Sequence, residues 1–211
     1  MELRRRLPFH NQHQSSSDLT APFTQQETLE ALKTMDRHSS PGPDGFGPCF
    51  YRAAWGVIKQ DVIRFMEAFH QRQAQLERIN RSCMVLIPKK PGAVAVDAFR
   101  PICLQNCSIK LLGKVLTRRL HKEIGKMIDL HQTGFLQGRL ISETFVFAAE
   151  VVQACDKRKL PALVLKSDFA KAFDTGNWEG LNQIMQIRGF NQLWCSWMHD
   201  MLSSSKGYFG S

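Results

Sequence analysis

The chain has 211 residues, is 43% hydrophobic and carries a formal net charge of +9, enough apolar content for one large packed domain or two small ones. No apolar run approaches the roughly 18 residues of a membrane span, and the start, MELRRRLPFHNQHQSSSD, lacks the apolar stretch of a signal peptide. An intracellular, non-secreted protein with no membrane partner is expected, with its six cysteines as free thiols rather than a disulfide framework.

Residues 1–20 read as a disordered basic and polar tail, Gln/Ser-rich behind Arg4-Arg5-Arg6. Thr24 followed by Glu27 is a capping-box pattern and predicts a helix with Leu29, Leu32 and Met35 on one side, broken by SSPGPDGF at 39–46. Trp55, Ile58, Val62, Phe65 and Phe69 recur at helical spacing. SCMVLIPKK (82–90), the Pro91-Gly92 turn and FRPICL (99–104) predict a β-hairpin.

Ile109, Leu112, Leu116, Leu120, Ile124 and Met127 form the stripe of the next helix, and Lys110, Lys114, Arg118, Lys122 and Lys126 form a ridge along it. Ten Lys or Arg stand between Arg81 and Lys126 against two acids, Asp97 and Glu123. A local excess of that size attracts polyanions, nucleic acid being the commonest, although a solubilising helix face has the same pattern. Neither Cys103/Cys107 nor His10/His13 has a second pair nearby to complete a zinc site.

A helix across Glu143–Cys155 precedes LVLKSDFAKAFD, 163–174. Its aliphatic start predicts a buried strand, and Asp168 and Asp174 stand at and beyond its end. A carboxylate there can cap a turn, pair with Lys166 or Lys171, or bind a hard cation. Two helices follow, the first carrying Trp178, Leu181, Ile184 and Met185 and stopping at Gly189, the second carrying Trp194, Trp197, Met198 and Met201.

Several segments, in order, resemble one family. PGPDGF (41–46), FYRAAW (50–55), LIPKK (86–90), FRPICLQN (99–106), KLLGKVLTRRL (110–120), QTGFLQGRLIS (132–142) and LKSDFAKAFD (165–174) look like the amino-terminal part of the reverse transcriptase domain of plant non-LTR, LINE-type retrotransposons. The resemblance spans about residues 18–205. It implies an α+β fold with right-hand polymerase fingers at 21–130 and a partial palm at 131–211, and RNA-directed DNA synthesis with Mg2+, an RNA template, a DNA primer and deoxynucleoside triphosphates. By the same resemblance Asp168 is the catalytic metal ligand, and Phe169 holds metal through its carbonyl and lies near the nucleotide sugar. The resemblance also implies that Lys89 and Arg100 bind the triphosphate, that Arg139 contacts nucleic acid and that PGPDGF lies along the template, while the 110–126 ridge, not the resemblance, offers Lys110, Lys114 and Arg118 as nucleic-acid contacts. Asp174 fits a structural cap.

The sequence also departs from that family. A two-metal site needs more than one carboxylate, yet no adjacent Asp-Asp occurs, and Asp200 falls in a helix-like segment. Ala98, Ser167 and Gly176 replace an acid, an aliphatic and a β-branched residue. The expectation is a fragment truncated before the Asp-Asp hairpin and thumb and inactive alone. Alternatives are a non-catalytic nucleic-acid-binding remnant and a fragment of another palm polymerase such as a group II intron-type reverse transcriptase.

Overall fold

The computed structural model describes residues 17–128, 132–136, 138–165, 167 and 175–209. Lys166, Asp168, Phe169, Lys171 and Asp174 lie outside them, as does most of the 1–20 tail. Among the described residues the elements run α1 (Gln25–Thr34), α2 (Pro48–Ala53), α3 (Trp55–His70), α4 (Leu76–Ile79), β1 (Arg81–Pro88), β2 (Phe99–Gln105), α5 (Cys107–Met127), α6 (Ile141–Lys157), α7 (Trp178–Ile187), α8 (Gln192–Ser203) and β3 (Lys206–Phe209). This is a mixed α+β fold. The described residues fall into two units, one within Ser15–Arg119 and Phe190–Ser211, the other within Leu120–Gly189.

In the first unit, α1 starts where the cap predicts: the Thr24 hydroxyl oxygen accepts the Glu27 amide N–H at 3.1 Å. Only half of the capping box forms, because both Glu27 carboxylate oxygens are taken by Arg119 at 2.7 Å each. The other end of α1 is closed by Arg52 of α2. Its guanidinium donates to the last-turn carbonyls of Leu32 and Lys33 and to that of Met35 just beyond, where a cation also suits the helix dipole. Helix α2, which the sequence pattern did not announce, opens on Pro48 at its first position.

The buried face of α3 is Val62, Met66 and Phe69, with Trp55, Ile58 and Phe65 half-buried. Phe69 joins Phe23 and Trp197 of α8, with ring centroids 5.4–6.1 Å apart, separations at which aromatic pairs attract beyond their area burial. His70 completes the cluster and its Nε2 lies 3.0 Å from the Thr20 carbonyl. Helix α5 buries Ile109, Leu111, Leu112, Val115 and Leu116, close to the expected stripe.

The sheet has order β2-β1-β3. The hairpin forms as the sequence predicts, antiparallel with Met84 opposite Cys103 and Ile87 opposite Arg100. Strand β3 was not foreseen; it lies parallel to β1, from Arg81↔Lys206 to Met84↔Phe209. Asn80 makes that junction: its buried side chain donates to the Met201 carbonyl and Ser204 hydroxyl, and its carbonyl accepts the Lys206 amide.

The second unit is open. Among its described residues, α6 and α7 bury no side chain, and Gly189, at φ +85°, follows α7 as expected. The buried strand expected at Leu163-Val164-Leu165 does not form: these residues lie in no described strand, and Leu163 is 94% exposed. A strand needs a hydrogen-bonded neighbour, and none of the described strands pairs with this segment.

Arg119 is itself buried, and its guanidinium also donates to the carbonyls of Leu19, Ala21 and Pro22. Removing one partner of such a pair leaves an uncompensated charge and typically costs ~3–5 kcal/mol. Arg119→Met is therefore expected to destabilise the chain by about that amount, and Glu27→Gln by less, since an amide keeps one acceptor. Urea unfolding followed by circular dichroism measures both.

Candidate nucleic-acid interface

The β1–β2 hairpin extends past β3, which pairs only with Arg81–Met84. Alternation puts Val85, Ile87, Arg100 and Ile102 on one face, and the three aliphatics there are each more than two-fifths exposed. The Lys89 amide donates to the Ala98 carbonyl at 2.8 Å, so Lys89 stands just past the end of β1, at the same end of the hairpin as Arg100, the second residue of β2. Both predicted triphosphate contacts thus stand at the tip end of the hairpin. The Lys89 ammonium rests on the Asp97 carbonyl at 2.7 Å, a neutral partner that leaves its charge uncompensated. Both residues are exposed.

The 39–46 loop docks on the junction of β2 and α5. Gly42 is the reason it can: a Cβ there would lie 2.3–2.4 Å from the Asn106 amide nitrogen, the Asn106 Oδ1 and the Gln105 carbonyl carbon. Asn106 Oδ1 accepts the Asp44 amide at 3.2 Å while Nδ2 donates to the Ile79 carbonyl at 3.0 Å. The Lys110 ammonium donates to the Ser40 carbonyl at 2.6 Å. The loop turns through Gly45, at φ +75° with open space beside it, and the Asp44 carboxylate accepts the Phe46 amide. So the close approach that a glycine allows at position 42 is to the protein's own backbone, and only Gly45 offers bare backbone outward.

Behind the loop, Tyr51 reaches the first turn of α5. Burial, with the nearby Cys107 and Asp44, pushes its phenol up to about 12, against a side-chain hydrogen bond with Ser108. Burial likewise raises the Cys107 thiol to about 11. Both groups stay neutral at physiological pH, so neither is a nucleophile here.

Along α5 the predicted ridge divides by partner. Lys110 holds the loop, and Arg118 pairs with Glu30 of α1 at 3.2 Å with both side chains partly exposed. Lys114, one turn from each, has no ion pair or side-chain hydrogen bond among the described residues. In the second unit, Arg139 donates to the Gln132 carbonyl at 2.6 Å and closes its own loop, at whose tip Phe135 is 94% exposed.

Asp168, Phe169 and Asp174 lie outside the described residues. Among the described residues no three His, Cys, Asp or Glu cluster to hold a metal. Asp200 is on α8 as expected, and both of its oxygens accept from Arg72, at 2.9 and 3.0 Å. Sequence reasoning missed Asn106, which the turn-forming residues opposite it could not advertise. It also missed the exposed pair Phe46 and Phe50.

The family described as "Reverse transcriptase (RNA-dependent DNA polymerase)" matches residues 87–210. The chain is 26% identical over 189 residues to the "Transposon TX1 uncharacterized 149 kDa protein" of Xenopus laevis, covering 89% of this chain and 14% of that protein. It is 24% identical over 155 residues to the "Retrovirus-related Pol polyprotein from type-1 retrotransposable element R1" of Bradysia coprophila, covering 72% and 15%. It is 28% identical over 137 residues to the corresponding polyprotein from "type-2 retrotransposable element R2DM" of Drosophila melanogaster, covering 65% and 12%. The chain thus spans a small part of the length of these relatives.

The two loop glycines differ in kind, and substitution should show it. Gly42→Ala forces backbone apart and is expected to lower stability by several kcal/mol, on the scale of severe packing defects. Gly45→Ala meets only the positive φ and should cost about 1 kcal/mol. Thermal unfolding of the two variants gives the comparison.

Proposed function

The chain belongs to the reverse transcriptase (RNA-dependent DNA polymerase) family, and on that premise we propose that it is the fingers and first palm portion of a non-LTR, LINE-type retrotransposon enzyme that holds an RNA template, a DNA primer and a deoxynucleoside triphosphate. The plant lineage is proposed on the quoted segments alone. The observation that carries the reading is the hairpin tip, where Lys89 and Arg100 stand beside the exposed strip of Val85, Ile87 and Ile102. A point charge beside a planar guanidinium fork suits the non-bridging oxygens of a polyphosphate, and the strip behind them suits a sugar and base. Lys114, with Arg118 competing against Glu30 for its phosphate, supplies sequence-independent affinity for the strand. Arg139 is proposed as a second-unit contact to the template.

The family implies Mg2+, which when bound activates an attacking hydroxyl and neutralises phosphate charge. Asp168 and the Phe169 carbonyl are the positions proposed to hold it, with Asp174 as a structural cap. A second reading is a nucleic-acid-binding remnant without chemistry.

Two measurements test these readings. Binding to single-stranded RNA at several salt concentrations should show a steep log-log dependence, each phosphate contact contributing a slope of about −0.7. Lys114→Gln should remove about one contact's worth of slope without changing thermal stability, and a flat salt dependence would count against both readings. Separately, residues 87–210 can replace the matching segment of an active related retrotransposon enzyme. Primer extension by that chimera should be abolished by Asp168→Asn, because a neutral amide cannot balance the ions' charge, and retained in part by Asp174→Asn, because an amide oxygen still caps. Equal loss from both would overturn the division of roles, and an inactive parent chimera would favour the remnant.

A further inference from the structure

The least explained feature of the first unit is a pair of phenylalanines that face water. Phe46, at the end of the 39–46 loop, and Phe50, in the middle of α2, have ring centroids 4.4 Å apart with planes 34° from each other. They are 46% and 42% exposed. Elsewhere in this unit the aromatic clusters are covered: Phe23, Phe69, Trp194 and Trp197 are all buried. Two large rings packed against each other at the surface expose apolar area that a folded chain normally removes from water.

Their position is fixed rather than incidental. The Phe46 amide is held by Asp44, and Gly42 locks the loop onto Asn106. Phe50 precedes Tyr51, which is anchored at the first turn of α5 beside Ser108. The same loop is gripped by Lys110, and Lys114 stands one turn further along α5, about 6 Å away. Gly45, beside Phe46, has no atom within 4 Å of where a Cβ would be, so nothing but solvent lies next to the backbone there.

We propose that Phe46 and Phe50 form a stacking platform for a base of a single-stranded nucleic acid whose backbone continues toward Lys114 of α5. Every base offers a π-face, so such a platform grips without reading sequence, and Lys114 takes a phosphate of the same strand. The charge of the neighbouring helix selects this occupant over an apolar protein segment, since a strand of phosphates gains from Lys114 what a neutral peptide would not. This inference rests on the nucleic-acid-binding reading above and adds a site to it.

The test is titration of the full chain with a single-stranded RNA carrying 2-aminopurine, whose fluorescence falls when the base stacks. The double variant Phe46→Leu/Phe50→Leu keeps apolar volume but removes both π-faces. It should weaken binding about five- to a hundred-fold, the range for loss of base–aromatic stacking, while keeping the salt slope and losing part of the fluorescence change. Lys114→Gln should do the reverse, lowering the slope and leaving the fluorescence change at saturation. Unchanged affinity and fluorescence in the double variant, with normal salt dependence, would overturn the platform and leave the nucleic-acid reading intact. No binding by the parent chain even at low salt would overturn both. Should the double variant fail to fold, Phe50→Trp decides the matter: the emission it adds to that of the four native tryptophans should be quenched by unlabelled RNA, and a quench no larger than the parent chain's at saturating RNA would overturn the platform.

Discussion

The guanidinium of Arg119 is the fixture around which the first unit is assembled. It grips both oxygens of Glu27 and the carbonyls of Leu19, Ala21 and Pro22, and its Cζ lies 4.3 Å from the centre of the Phe23 ring. One planar, permanently charged group with several diverging donors can bind a carboxylate and a run of main-chain oxygens at once, which an ammonium cannot. The consequence is that α1 is held to α5, and Phe23 is delivered into the cluster of Phe69, His70 and Trp197. With α1 in place, the chain that leaves it reaches the start of α5, where Gly42, Asn106 and Lys110 seat the 39–46 loop. The base of the hairpin is fixed at the same junction, because β2 ends at Gln105 and α5 begins at Cys107.

Cations in this protein serve two purposes, and structure separates them. Arg52 closes α1, Arg119 ties three segments, Arg72 holds Asp200 and Lys110 grips a loop carbonyl. Each of these meets a specific oxygen of the protein, so its field outward is reduced or its side chain is committed. Lys89, Arg100 and Lys114 form no ion pair among the described residues, although Lys89, like Lys110, donates to a main-chain carbonyl. They are therefore among the cations whose charge is left for a polyanion.

The second unit carries an apolar pattern whose side chains are exposed among the described residues. Helix α6 carries Phe145, Val146, Phe147, Val151 and Val152, and all are exposed. Helical hydrogen bonds close within the segment, so α6 does not depend on a neighbouring strand for its backbone pairing. The Leu163–Leu165 run has the composition of a strand, but strand hydrogen bonds must go to another segment, and there the described residues supply none.

That contrast also explains how much was legible in the sequence. Local signals were enough wherever the physics is local: the Thr24 cap, the α3 and α5 stripes, the hairpin across Pro91-Gly92 and the stop at Gly189 each depend on residues within a few positions of one another. The ordered motifs were likewise readable as a family, since they are strings. What the tertiary structure alone decided are pairings across long separations. Glu27 abandons its own helix cap for Arg119, 92 residues away, because a bidentate guanidinium binds a carboxylate more strongly than one backbone amide does. Lys206–Phe209 becomes a strand because β1, more than a hundred residues earlier, offers a free edge. Lys89 and Arg100 meet at one end of the hairpin through its register, and Lys110 is drawn to a carbonyl at Ser40. A residue's spacing fixes which side of its element it occupies, but its partner is chosen by what the rest of the chain brings within reach.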